Sequence, residues 1–191
     1  MRVCHFQMPP DRGSVTPFHF LTPPKSELIR KLPVNSIASI ATEWKPPRFE
    51  VVRGSEASDI FFCLRDWAVT EPVIDAISAK TSGDVEFLPI DCDYDEPLFL
   101  LHVLRFVEIG QKTDVRRNPL SKNITAIHKY DFEADSLASC TLFRIRQTPG
   151  SLAANAGLAR PDIYVVGEFA DFLVECGFKG VDLVPVFDSG N

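Results

Sequence analysis

No two cysteines in this chain are spaced as CxxC. The five present, Cys4, Cys63, Cys92, Cys140 and Cys176, are odd in number and widely scattered. That excludes a dense disulfide framework and reads as the reduced thiols of a cytosolic protein. An excess of Lys and Arg is also missing. The net charge is −6, which argues against a nucleic-acid-binding surface, because such a surface needs clustered cations to displace counterions. The same balance suits small molecules or basic partners. Long apolar runs are absent too. The longest, "PLFLLHVLRFVEIG", carries His102, Arg105 and Glu108 and is too short and too charged to span a bilayer. The opening "MRVCHFQMPPDRG" has no apolar h-region of the kind a secretory signal needs. The expectation is a soluble cytoplasmic protein with no membrane and no nucleic-acid partner.

Catalytic signatures are equally scarce. GxGxxG, GxxxxGK[ST], GxSxG and HExxH do not occur. The acids Asp91, Asp93, Asp95 and Glu96 alternate as oxygen ligands in a calcium loop do. An EF-hand loop starting at Asp91 would need Gly at 96 and Glu at 102, where Glu96 and His102 stand instead. Two readings of these acids stand side by side: a solvated loop that aids solubility, and a contact for a basic partner. The histidines, His5, His19, His102 and His128, share no ligand spacing. His102, within an apolar run, reads as a satisfied and partly buried histidine. Arg144 interrupts the apolar "LFRI", and an ion pair with Glu86 or Asp182 would account for it. The expectation is no catalytic residue, no metal ligand and no cofactor.

What the chain does contain is a phrase written twice. "GDVEFLPI" at 83–90 returns as "GVDLVPV" at 180–186, and "SDIFF" at 58–62 returns as "PDIYV" at 161–165. Each copy reads as strand, helix, strand. In the first, Thr70 and Pro72 suit a helix start, Val73, Ile74 and Ile77 make a stripe, and Gly83 ends the helix. In the second, Gly167 is the N-cap, Phe169, Phe172, Leu173 and Cys176 follow helical spacing, and Gly177 closes. Pro89 and Pro185 place the exit strands at edges. Between the copies, "LFLLHVLRFVEI", "ITAIHKYDFEA" and "CTLFRIRQT" read as an antiparallel set of strands on which both helices pack. Eight of the fifteen prolines lie in residues 1–57, so the start reads as irregular, with one short helix fitting "PPKSELIRKL". The predicted fold is therefore α+β: a mostly antiparallel sheet, helices on one side, two strand–helix–strand pseudo-repeats and a Pro-rich N-terminal arm. The arm covers residues 1–42 and packs on a single domain at 43–191, a length that buries a real core.

The order of elements resembles the family eleven immunity proteins of bacterial polymorphic toxin systems. The resemblance is carried by "EWKPPRFEVV" (43–52), "SDIFF" (58–62), "VEFLPI" (85–90) and "PLFLLHVLRFVE" (97–108). It continues in "LFRIRQTPG" (142–150) and "FADFLVECGFKGVDLVPV" (169–186), so that it spans about three-quarters of the chain. The family usually has Ser before its last helix, where Gly167 stands here. The resemblance implies a non-enzymatic, stoichiometric inhibitor that binds a cognate toxin domain, and a basic one suits the charge. Asp91, Asp93, Asp95 and Glu96 are the candidate contacts. Two alternative classes remain: a small enzyme whose site assembles only in three dimensions, and a general protein-binding adaptor.

Overall fold

Short runs of β-branched and aromatic residues, punctuated by proline, glycine and acidic turns, favour strands over helices. The computed structural model describes residues 1–9, 18–24, 38–63, 66–81, 83–120, 124–138, 140–146 and 159–190. Along the chain come β1 (Arg2–Gln7), β2 (Phe20–Thr22), β3 (Arg48–Val52), β4 (Ile60–Cys63), β5 (Asp66–Val69) and α1 (Glu71–Ser78). Then follow β6 (Val85–Pro89), β7 (Asp91–Cys92), β8 (Phe99–Val103), β9 (Phe106–Val107), β10 (Asp114–Arg117) and β11 (Ile124–Lys129). The last are α2 (Ala134–Leu137), β12 (Leu142–Arg146), β13 (Ala159–Val166), α3 (Gly167–Glu175) and β14 (Asp182–Asp188). Strand makes up 44% and helix 14%, so the fold is α+β and mostly sheet. No helix among the described residues is long and apolar enough to cross a membrane.

Two sheets carry the architecture. One has five strands in the order β14-β1-β13-β12-β9, antiparallel except for the β12–β9 pair. The other has seven, in the order β6-β8-β5-β4-β2-β3-β7, with β2–β4 and β3–β7 parallel. Its two end members, β6 and β7, are separated in sequence only by Ile90. The sheet therefore curls until two halves of one extended segment close it. Leu21, Phe49, Phe61, Cys63, Ala68, Leu88, Leu98 and Leu100 fill the inside of the curl. The three runs between the twice-written phrases do not make one sheet, as the sequence reading had it. β8 joins the curled sheet, β12 joins the five-stranded one, and β10–β11 form a hairpin of their own.

A second core lies between the sheets. Cys4, Phe6, Ile163 and Val165 from the five-stranded sheet meet Ile60, Trp67, Val69 and Leu101 from the curled one. Both helices bury their stripes there, α1 through Val73 and Ile77, α3 through Phe169, Ala170 and Leu173. Phe172, expected in the core with Leu173, is only half-buried. It stacks on Phe169 at 5.8 Å, and Lys80 Nζ lies 5.0 Å from its ring centre. The opposite face of the five-stranded sheet holds a third cluster with Val3, Phe143, Ile145 and Tyr164.

The chain's start is built into the structure. β1 is an inner strand between β14 and β13, with Val3, Cys4 and Phe6 buried. The helix expected in "PPKSELIRKL" falls, beyond Pro24, outside the described residues. Both helices connect strands that flank a third. β5 and β6 are separated by the antiparallel β8, and β13 and β14 by the antiparallel β1. The strand entering α1 is β5 and not "SDIFF", which forms β4, its hairpin partner. Thr70 does occupy the N-cap of α1, but its side chain makes no capping bond. Val166, not Gly167, caps α3, and α1 ends at Ala79, ahead of Gly83. Gly177 does follow the α3 C-cap with φ 72°. Gly180, at φ 102°, lies against the Ile60 carbonyl, where the Lys179 carbonyl accepts from Asp59 and Ile60 N–H at 3.0 Å.

Candidate functional site

The acids at 91–96 sit where the curled sheet closes. Asp91 N–H donates to the Pro47 carbonyl at 3.0 Å, and β7 runs parallel to β3 with Arg48 opposite Asp91 and Phe49 opposite Cys92. Asp93 Oδ1 accepts from Val51 N–H at 2.9 Å and extends the attachment past the end of β7. The alternation of acids is a strand-like alternation of faces. Asp91, Asp93, Asp95 and Glu96 are exposed, whereas Cys92 and Tyr94 turn inward against the core of the curl. The Tyr94 ring meets Phe61 edge-on at 5.1 Å and His19 at 6.1 Å. Burial raises the Tyr94 hydroxyl above its ordinary pKa, with the charges of Glu96 and Asp59 adding to it. His19 lies on the other side of that ring. Gly54 N–H donates to its Nδ1 at 3.0 Å, and burial, with Arg53, lowers its pKa.

The result is a fixed acidic ridge. None of its four carboxylates enters an ion pair among the described residues. Like charges held side by side repel, mildly in water and more strongly once solvent is excluded. The four acids do not converge on one point, and no group of three or more His, Cys, Asp or Glu among the described residues could hold a metal ion. The arrangement offers charge to a surface laid against it.

The interior ionisable groups are paired with one another. Arg144 Nη2 donates to Asp66 Oδ1 at 2.7 Å with both side chains essentially inaccessible. Neither Glu86 nor Asp182 is its partner, contrary to the sequence reading. The pair links β12 of one sheet to β5 of the other. Burial pushes the Asp66 carboxyl above its ordinary value against the opposing pull of Arg144. Glu86 meets the fully buried His102 instead, with Oε2 2.9 Å from Nδ1, and also accepts from Ile40 N–H at 3.2 Å. Burial alone would raise the Glu86 carboxyl, but hydrogen bonds from Ser39, His102 and Ile40 outweigh it and lower the value. Cys140 is likewise occupied, donating to the Ser136 carbonyl at 3.1 Å and accepting from Arg105 Nε at 3.4 Å. His128 is an exposed residue of the β10–β11 hairpin.

Open clefts lie elsewhere among the described residues. One of about 440 Å³ is lined by Arg105, Glu108, Glu133, Ser136 and Arg146, among others, and Arg146 lies 3.7 Å from Glu108 across it. The second, of about 590 Å³, lies between the base of the hairpin and β14. Of the features here, the ridge was visible in the sequence as a run of acids. The Asp66–Arg144 link was not, because its partners lie 78 residues apart. No protein-family model matches the chain, and no curated protein matches it.

Proposed function

We propose that this protein is a cytoplasmic, non-catalytic immunity protein that binds and neutralises a cognate bacterial toxin domain. The observation that carries the reading is the ridge of Asp91, Asp93, Asp95 and Glu96, unpaired and fixed to the closing seam of the curled sheet. A stoichiometric inhibitor needs a rigid surface of fixed charge more than a reactive group. An acidic surface steers a basic partner and covers the cationic site with which such a partner meets its own substrate. The resemblance in element order over residues 43–187 supports the same reading.

The scaffold suits this role. We read β5–α1–β6 and β13–α3–β14 as two copies of one split strand–helix–strand unit, sharing the order of elements and the proline near the end of the exit strand. Val85 and Phe87 in one exit strand, and Val181 and Leu183 around the start of the other, pack against the same central core. The duplication then concerns architecture, and the ridge is an addition made where β6 runs on into β7.

Self-protection leaves little free toxin, so the expected affinity is nanomolar or tighter, about −12 kcal/mol or beyond. Cells expressing the toxin domain encoded beside this protein should survive with it and die without it. Replacing Asp91, Asp93 and Asp95 by Asn and Glu96 by Gln should slow association by roughly tenfold or more at low salt and leave dissociation nearly unchanged. Asn at 93 keeps the acceptor for Val51 N–H, so the fold is retained. Absence of protection, or turnover of a defined substrate by the protein alone, would overturn the proposal.

A further inference from the structure

The segment that closes the curled sheet does not use its two edges alike. Along one edge β6 pairs with β8, with Glu86 opposite His102 and Leu88 opposite Leu100. At the ends of that ladder Ile90 N–H donates to the Leu98 carbonyl at 3.0 Å, and Leu104 N–H to the Asp84 carbonyl at 2.8 Å. In an antiparallel ladder, pairs that exchange backbone hydrogen bonds alternate with pairs that do not. Asp84, Glu86, Leu88 and Ile90 therefore direct their backbone groups to β8, and Val85, Phe87 and Pro89 direct theirs to the other edge. Pro89 fits this alternation, since its missing N–H falls where β8 needs none.

The other edge is taken up only in its second half. Asp91 N–H meets the Pro47 carbonyl, β7 lies along β3, and the Pro89 carbonyl accepts from Trp44 Nε1–H at 2.7 Å. Ahead of Trp44 the chain turns through the exposed residues 41–43, and Ile40 meets β6 through the Glu86 side chain and not through its backbone. Among the described residues, the N–H and C=O groups of Val85 and Phe87 have no hydrogen-bond partner. Both side chains pack against the central core, which holds the stretch extended. Donors and acceptors repeated at the two-residue period of a strand, about 7 Å, match one ligand above others: a second extended backbone.

We propose that the Val85–Phe87 edge receives an extended segment of the toxin domain, which adds to β6 in line with β3. The inference rests on the inhibitor reading and gives it a second contact. Continuity with the ridge selects this occupant. β6 runs on into β7 through Ile90 alone, so a segment bonded at Val85 and Phe87 lies within a few residues of Asp91 and Asp93. The acids draw a basic partner in, and the edge fixes its register. A second copy of this chain is a poorer match, because it carries the same charge of −6 and is repelled.

Backbone hydrogen exchange of the full-length protein, read residue by residue by NMR, tests this. In the free protein the amides of Glu86 and Leu88 should exchange roughly a hundredfold more slowly than those of Val85 and Phe87. Uniform protection along β6 would mean that the edge is already paired, and overturns the proposal. Adding the toxin domain encoded beside this protein should slow exchange at Val85 and Phe87 by about tenfold or more. Binding without that slowing overturns the docking edge and leaves the inhibitor reading intact, whereas absence of binding overturns both. Val85→Pro removes one outward N–H and keeps every bond to β8. It should weaken the complex by roughly tenfold, while Val85→Thr binds as the wild type does. Equal binding by the two variants, each with wild-type circular dichroism, overturns the proposal. Protection at Val85 and Phe87 that grows with the concentration of the free protein assigns the edge to a second copy instead.

Discussion

Among the described glycines, Gly180 is the one where an added methyl group meets the backbone most closely. Its φ of 102° is one that side chains with a Cβ rarely adopt, and an added Cβ would fall far inside van der Waals contact with the Ile60 carbonyl oxygen. That carbonyl belongs to β4 and cannot swing aside as a flexible side chain can. Gly180→Ala should therefore lose about 3 kcal/mol or more, since the backbone strain of about 1–3 kcal/mol is compounded by the clash. Urea denaturation measures it, and a loss below about 1 kcal/mol would show that the 179–180 turn can move away. Gly177, with φ 72° and no atom near its missing Cβ, should tolerate Ala far better. The neighbouring helix gives a graded comparison. Leu173→Ala should lose about 2–5 kcal/mol, whereas the half-buried Phe172 should lose about 1–2 kcal/mol on truncation. Helical spacing places both residues on one stripe. It does not show where that stripe runs out from under the neighbouring sheet.

At the scale of elements, punctuation was legible and partnership was not. Gly177 after α3, Thr70 before α1 and the stripe of Val73 and Ile77 follow from local chemistry, and each stands where that chemistry put it. The insertion of β5 between "SDIFF" and α1 was hidden, because "DWAV" is too short to show a period of its own. The interior position of β1 was hidden too. Its pairing partners begin about 160 residues later, and nothing near Arg2–Gln7 announces them. The acidic run showed its charge and concealed its geometry, although Cys92 and Tyr94 between the acids already carried the two-residue alternation of a strand.

One element attachment has a pH signature. The segment around Ile40 is fastened across β6 by Glu86, and Trp44 Nε1–H donates to the Pro89 carbonyl at 2.7 Å. The folded Glu86 carboxyl lies below its ordinary value of 4.5. Its contribution is therefore present above that value and is lost as pH falls through the lower folded value. Unfolding free energies at about pH 6 and pH 3 should differ more for the wild type than for Glu86→Gln. Equal differences would assign the acid sensitivity to other carboxylates.

The molecule as a whole is two sheets around shared apolar cores, and among the described residues one buried ion pair crosses between them. Asp66→Asn or Arg144→Met each removes one charge of a buried, hydrogen-bonded pair and should each lose about 3–5 kcal/mol. Replacing both together, Asp66→Leu with Arg144→Met, should lose much less than the sum. A double-mutant cycle read by denaturation tests this, and additivity would mean that the two groups do not depend on each other.

Closure of the curled sheet also sets an order in time. β6 pairs with β8 across a short stretch of sequence, a contact that forms at small entropic cost. β7 meets β3, some forty residues earlier, at the far edge that β8, β5, β4 and β2 carry round to it. Contacts between distant parts of a chain are the slow ones. Within the curled sheet, the bond from Val51 N–H to Asp93 therefore closes a longer stretch of chain than the β6–β8 pairing does, and the ridge takes its shape when the ring shuts. A partner that recognises the finished spacing of those acids would distinguish the completed protein from every earlier form of it.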